Sequence, residues 1–378
     1  MKVDNYLPGG NIRVLELQDR EVLLEEEARD CREGWFYWKF RALFEEEGLW
    51  KFRFSRCWKV GTRGPAVSTD RGKSWHWLSG EKCHESSQEF LYECRTPGEV
   101  WFSQAMPYMQ ENWERFANVY SENPFFHPSV LCRSRKGRNA ELLEIREGNP
   151  RRAVLLTARH HCEEMSASMV MEGIGRFALS SSEDGKRFRQ NFALFLVPFT
   201  DKDGVEEGDQ GKGRIPRDHG RDYEGEHLYP ETAAIRQRIE RVRPFLVLDL
   251  HSPWLRSGRW NEEPYFVEDR EKRFKPELER FCALLEQEAP ECAPFSRENI
   301  LRWGTEWNTP ENYSAKGDSG AGKCLRQLCG AYPFVKLGAS LEVPFANFGE
   351  KTVTEKEFLL FGNAVGKTIL KYGEDHVL

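Results

Sequence analysis

Two histidines and two glutamates, His160, His161, Glu163 and Glu164, follow the apolar run Ala153–Thr157 in the segment AVLLTARHHCEEMSASMVMEG. A His and a Glu three residues apart, one past a strand end and one entering a helix, can hold one metal ion. Imidazole nitrogen and carboxylate oxygen are ordinary zinc donors, and a catalytic zinc site keeps three protein ligands plus a place for water. Two registers have this spacing, His160 with Glu163 and His161 with Glu164, and both glutamates fall near a helix N-terminus where negative charge is favourable. Two later segments can complete such a site: FLVLDLHSPW, in which His251 ends a buried strand, and GASLEVPFAN, which carries Glu342. An isolated His-x-x-Glu pair is common by chance, and its plainer reading is a pair of histidines capping strands through hydrogen bonds. A second strand-ending histidine and a third acidic strand weigh toward the metal.

Between the histidine segments runs VPFTDKDGVEEGDQGKGRIPRDHGRDYEG, residues 197–225, polar and rich in glycine. It holds Lys212, Arg214, Arg217 and Arg221 among Asp209, Asp218 and Asp222. It is not a phosphate-binding Walker loop, because no GxxxxGK[ST] precedes a helix. It reads either as a solvated surface loop or as a loop that brings guanidinium groups beside a metal to bind a carboxylate.

The elements that must position these residues divide the chain near residue 105. Before it, short aromatic and β-branched runs recur between turn signals: residues 34–43, 49–60, 73–79, 89–95 and 99–105. Such regular half-buried strands predict a small antiparallel β-sandwich, with its tryptophans packed between sheets rather than forming a carbohydrate platform. Beyond it, residues 108–120 have helical spacing, and apolar strands then alternate with helices. Strands are expected at 142–146, 153–157, 192–198, 245–250 and 339–343. Helices are expected on the stripe Ala167, Val170, Met171, Ile174, Phe177, Ala178 and at 231–241, 276–288 and 355–370. Near-continuous apolar strands between helices predict an α/β fold, a mostly parallel mixed sheet flanked by helices, whose sites lie at strand carboxyl ends. The expected domains are 1–105 and 106–378.

The 378 residues carry a net charge of −6, which gives no basic face for nucleic acid. No signal-like N-terminus and no apolar run long enough to span a bilayer is present, so a cytoplasmic protein without a membrane partner is expected. The cysteines at 31, 57, 83, 94, 132, 162, 282, 292, 324 and 329 form no CxxC pair and read as reduced. The oligomeric state is not legible.

Taken together, these segments resemble the zinc metallocarboxypeptidases, most closely the cytosolic-carboxypeptidase-like branch. ARHHCEEMSASMVMEG is similar to the zinc-binding HxxE segment, DKDGVEEGDQGKGRIPRDHGRDY to the NPDG…DxNR segment, DLHS to the third-ligand segment and SLEVPF to the strand of the catalytic glutamate. The aromatic region before residue 105 resembles the sandwich that precedes the catalytic domain in that branch. The resemblance implies one Zn2+ held by His161, Glu164 and His251, with Asp218 orienting the first histidine and Glu342 as general base. It makes Arg221 the group that binds the substrate's terminal carboxylate. One position departs: Gly220 stands where the family has Asn, removing a donor worth about 1–3 kcal/mol unless His219 or a basic neighbour replaces it. Ungapped alignment puts Gly211 at the arginine that polarises the scissile carbonyl. Lys212 and Arg214 are close enough to substitute; Arg214 is assigned the catalytic role and Lys212 substrate binding. Tyr313 and Tyr332 are the candidates for the family's mobile tyrosine.

The implied activity is metal-assisted hydrolysis at a peptide or protein C-terminus, or of glutamyl-type amides. The alternatives are a zinc amidase or deacylase on small N-acyl amino acids and a catalytically impaired zinc-binding homologue.

Overall fold

The structure, a computed structural model, describes residues 1–79, 88–314 and 322–376. Two N-terminal sheets come first. One has five strands, in the order Lys2–Asp4, Lys39–Phe44, Gly98–Ser103, Ala66–Ser68, His76–Trp77; the other has four, in the order Arg13–Gln18, Glu21–Glu25, Gly48–Phe54, Glu89–Cys94. Alternating side chains of the two sheets meet in an aromatic core. Phe52 of the second sheet lies 5.6 Å from Phe40 and 5.2 Å from Phe102 of the first. Trp38 is fully buried there, so the sandwich reading holds. Pairing is antiparallel except between Glu21–Glu25 and Gly48–Phe54, which run parallel. The run 73–79 is mostly turn, with strand only at His76–Trp77. The strands before residue 34 were not foreseen; Arg13–Gln18 is exposed along its length, and Lys2–Asp4 and Glu21–Glu25 are short.

The second part is an eight-stranded mixed sheet flanked by helices. Its centre consists of Phe192–Val197, Arg152–Ala158, Leu246–His251 and Leu337–Glu342, parallel and adjacent in that order. Apart from Arg152, every residue of these four strands is buried, which explains why they are mostly apolar. Antiparallel strands Asn139–Ile145 and Phe126–Arg133 extend one side, and Tyr265–Val267 with Ile300–Leu301 the other. The register sets His251 opposite Glu342 and Ala158 opposite Leu250, so three functional segments leave the sheet side by side.

Helix Met165–Leu179 is buried on nearly every face and packs against the closing helix Glu355–Glu374. Glycines allow that approach: a Cβ on Gly362 would sit 2.2 Å from the Val170 carbonyl, and one on Gly173 2.4 Å from that of Leu359. Helix Glu183–Asn191 was not anticipated, its sequence EDGKRFRQN being almost wholly polar. The described cysteines are free thiols; Cys83 lies outside the described residues. Among the described residues, no helix is long and apolar enough to cross a membrane.

Candidate active site

Arg159 begins the site. It follows the strand Arg152–Ala158 at φ 62°, a left-handed conformation, and turns the chain so that two adjacent histidines face different ways. Its buried guanidinium donates to the Tyr108 and Cys162 carbonyls, at 2.7 Å in each case, and fastens that turn. His160 points inward, its Nδ1 2.7 Å from Asp249 Oδ1 and its Nε2 2.6 Å from the Tyr223 hydroxyl. His161 points into the cavity.

The structure brings His161, Glu164 and His251 together, one ligand atom from each lying within 4.8 Å of the others. His161 Nδ1 is 2.7 Å from Glu164 Oε1, and His251 Nδ1 is 2.8 Å from Glu164 Oε2. Each imidazole turns its other nitrogen to an acid: His161 Nε2 is 3.7 Å from Asp218 Oδ2, and His251 Nε2 is 2.8 Å from Asp249 Oδ2. A zinc-ligating histidine has this arrangement, donor nitrogen inward and the opposite N–H toward a carboxylate. Charge fits as well. Although burial opposes its protonation, His161 is raised to about 9 by Glu164 and Asp218, so the cluster is built to hold positive charge. Burial likewise works against the Asp218 carboxylate, but His161, Lys212 and Arg221 hold it below the usual range. These three side chains are the site for one Zn2+; of the two registers, His160 with Glu163 is not brought together, for Glu163 joins no such cluster among the described residues and His160 turns to Asp249 and Tyr223.

A cavity of about 310 Å³ opens over them, lined also by Lys212, Gly220, Arg221 and Glu342. Glu342 ends its strand there; burial, reinforced by Glu164, pushes its carboxyl up to about 7. Arg221 lies with its guanidinium 4.3 Å from the Tyr313 ring centre. Among the described residues neither Lys212 nor Arg221 has a carboxylate within 4.0 Å; both line the cavity, and Arg221 Nη2 donates only to the Asn312 carbonyl, at 3.5 Å. Arg214 does not join them. It is held behind the site by Asp201, by Asp209 at 2.9 Å and by Asp30 at 3.5 Å, and it is absent from the cavity wall. Three carboxylates around one guanidinium leave it no capacity for substrate. Tyr313 lines the cavity, whereas Tyr332 donates to Glu240 elsewhere. A Cβ on Gly220 would come within 3.0 Å of His161 Nε2, so this chain packs its backbone against the metal ligand at the departing position.

The segment 197–225 is not the solvated loop its composition allows. It contains helix Lys202–Glu207, capped by Asp201, and the short helical turn His219–Arg221, and it buries Asp201, Asp209, Gln210, Asp218, His219 and Asp222. Several contributors carry little or no signal in the sequence. Asp249 stands in DLHS, where the histidine draws the eye. Tyr265, Trp307, Asn312 and Arg326 come from segments with no recognisable motif, and Trp35 reaches the cavity from the N-terminal part. Arg326 is buried between Asp269, Asn308 and the Tyr313 hydroxyl.

Comparison with known proteins follows the same lines. Residues 109–224 match the family described as Zinc carboxypeptidase. Cytosolic carboxypeptidase 6 of Caenorhabditis elegans is 26% identical over 195 residues, 45% of this chain and 42% of that protein. Cytosolic carboxypeptidase 3 of Bos taurus is 27% identical over 217 residues, covering 52% of this chain and 21% of that protein. The chain thus spans less than half the length of these curated relatives. Among solved structures, a metallo-carboxypeptidase from Pseudomonas aeruginosa has a TM-score of 0.79 at 19% identity, covering 99% of this chain and 100% of that one. One from Burkholderia cenocepacia has a TM-score of 0.77 at 15% identity and covers both chains fully. At these identities the structural likeness speaks to the fold, sandwich included.

Proposed function

We propose that the chain, a relative of the zinc carboxypeptidases distantly homologous to the cytosolic ones, hydrolyses amide bonds next to a free C-terminal carboxylate. The observation that carries this reading is the meeting of His161, Glu164 and His251 with Glu342 and the cations Lys212 and Arg221 on one cavity. When bound, zinc supplies Lewis acidity and brings the pKa of a water toward ~7. Glu342, which ends its strand at the cavity wall, would accept the proton of a water held there and deliver it to the leaving amine. Lys212, in place of Arg214, faces the negative charge that develops on the scissile carbonyl oxygen. Arg221 pairs with the terminal carboxylate, and Asn312, whose backbone carbonyl accepts from Arg221 at 3.5 Å, is the amide residue on the same wall that could replace the one missing at Gly220. Asp218 and Asp249 hold the two ligand imidazoles in one tautomer.

The substrate is a peptide or protein C-terminus in the cytoplasm. Lys212 and Arg221 serve the reacting amide and the terminal carboxylate; Arg326, paired with Asp269, also lines the cavity, and this basic wall favours an acidic terminal side chain. The test is a peptide panel incubated with zinc-loaded protein and read by mass spectrometry, varying the last residue between Glu, Leu and Lys and the terminus between free acid and amide. Loss of one residue from free acids only, fastest for Glu, is expected. Equal cleavage of amides, or cleavage confined to small N-acyl amino acids, would replace this reading with the amidase one.

A further inference from the structure

Lys212 enters the cavity from a turn that the N-terminal part of the chain holds in place. Asp30, in the connection between strands Glu21–Glu25 and Lys39–Phe44, has a buried carboxylate. Its Oδ1 accepts the Gln210 N–H at 2.8 Å and its Oδ2 the Gly211 N–H at 2.9 Å, while its carbonyl accepts the Ile215 N–H at 2.9 Å. Gln210 answers from the other side of the contact. Its Oε1 accepts the Trp35 and Tyr37 N–H groups at 3.1 and 3.0 Å, and its Nε2 donates to the Tyr37 carbonyl at 2.9 Å. Gln210 is fully buried, so each of these bonds is shielded from water. On the opposite side the turn abuts the metal-bearing segment. Gly211 has φ 75°, and a Cβ there would lie 2.5 Å from the Cys162 nitrogen and 2.4 Å from Glu163 Oε2. Lys212 has no ion pair within 4.0 Å among the described residues; Asp218, Glu163 and Glu342 attract its ammonium, and this backbone turn sets the base from which it reaches them.

We propose that Asp30 and Gln210 are positioning residues that hold Lys212 on the scissile carbonyl, so that the N-terminal part completes the catalytic centre. The proposal rests on the carboxypeptidase reading. A fixed cation stabilises developing charge without reorganising, and displacement by about 1 Å can cost ~100-fold in rate. Substrate still binds through Arg221, which the clamp does not touch.

The experiment is a double-mutant cycle. Asp30→Asn replaces one acceptor with an N–H that opposes the Gly211 or Gln210 amide. It is expected to lower kcat by about 10–100-fold, to move KM by less than about threefold and to weaken a phosphinate transition-state analogue in proportion to kcat/KM. In a Lys212→Ala background, Asp30→Asn should cost no more than about twofold further, because the group it serves is gone. Equal losses in both backgrounds, or an unchanged kcat, overturn the proposal. Should Asp30→Asn lose zinc or fail to fold, Gln210→Met takes its place in the cycle: a loss confined to the Lys212 background supports the clamp, and equal losses overturn it. A wild-type protein that cleaves no free-acid peptide sinks the carboxypeptidase reading alone. The clamp is then judged on the 13C-methylated Lys212 resonance, which moves in Asp30→Asn if the turn holds that side chain and stays if it does not.

Discussion

At the scale of residues, the site depends on one arginine that carries no catalytic atom. Arg159 adopts φ 62°, which costs a non-glycine residue ~1–2 kcal/mol. Its planar guanidinium offsets that cost with bonds to the Tyr108 and Cys162 carbonyls. Lysine cannot reproduce this fork. Arg159→Lys should therefore loosen the turn that aims His161 and lower zinc affinity by about 10–100-fold, on the scale of lost support around a metal ligand. Competition with a chelator measures it, and unchanged affinity would show that the turn holds without the fork. Glu342→Gln makes the complementary prediction: zinc content stays at wild-type level while turnover falls by at least about 100-fold. Full activity in that variant would remove Glu342 as the base. The donor residues were legible in the sequence because zinc chemistry restricts residue type and spacing. The choice between His160 and His161 was not legible from spacing, since it depends on where Asp249, Tyr223 and Asp218 stand in space. Nor was the fate of Arg214, whose partner Asp30 is remote in sequence.

At the scale of elements, the four central strands and the helix after the histidines were readable because burial writes itself into apolar runs and helical stripes. The polar segment 197–225 misled for a physical reason: its buried acids are paired with half-buried arginines, Asp201 and Asp209 with Arg214 and Asp222 with Arg217, so polarity there does not mean solvation. The crossing of helix Met165–Leu179 with helix Glu355–Glu374 was also hidden, since two glycines in apolar helices give no local signal. It can be tested through Gly362→Ala. Helix propensity alone would stabilise that variant by ~1 kcal/mol. The added Cβ would lie 2.2 Å from a carbonyl oxygen, and the helices must part. A net loss of about 1–3 kcal/mol in urea unfolding is expected; a gain would mean the helices separate without strain.

At the scale of the whole molecule, the sequence divides near residue 105, yet contacts cross that line repeatedly. Trp77 Nε1 donates to the Val353 carbonyl at 2.8 Å, Arg63 Nε to Asn347 Oδ1 at 2.7 Å, and Phe36 packs edge-on against Trp254 and Phe345. The Asp30–Gln210 clamp adds a polar anchor beside the metal. These partners lie far apart in the chain, beyond the reach of any local pattern. Their consequence is that zinc, although held by three residues of the second part, should stabilise both parts. A ligand at about 100 times its dissociation constant adds ~2.7 kcal/mol to the folded state, and an interlocked pair shares it. Chelation should therefore lower protection against amide hydrogen exchange in strand Lys39–Phe44 as well as in strand Leu246–His251, with one common unfolding midpoint. If the parts were merely tethered, the N-terminal sheets would keep their protection and their midpoint when zinc is withdrawn, and the clamp would then be a contact without energetic weight.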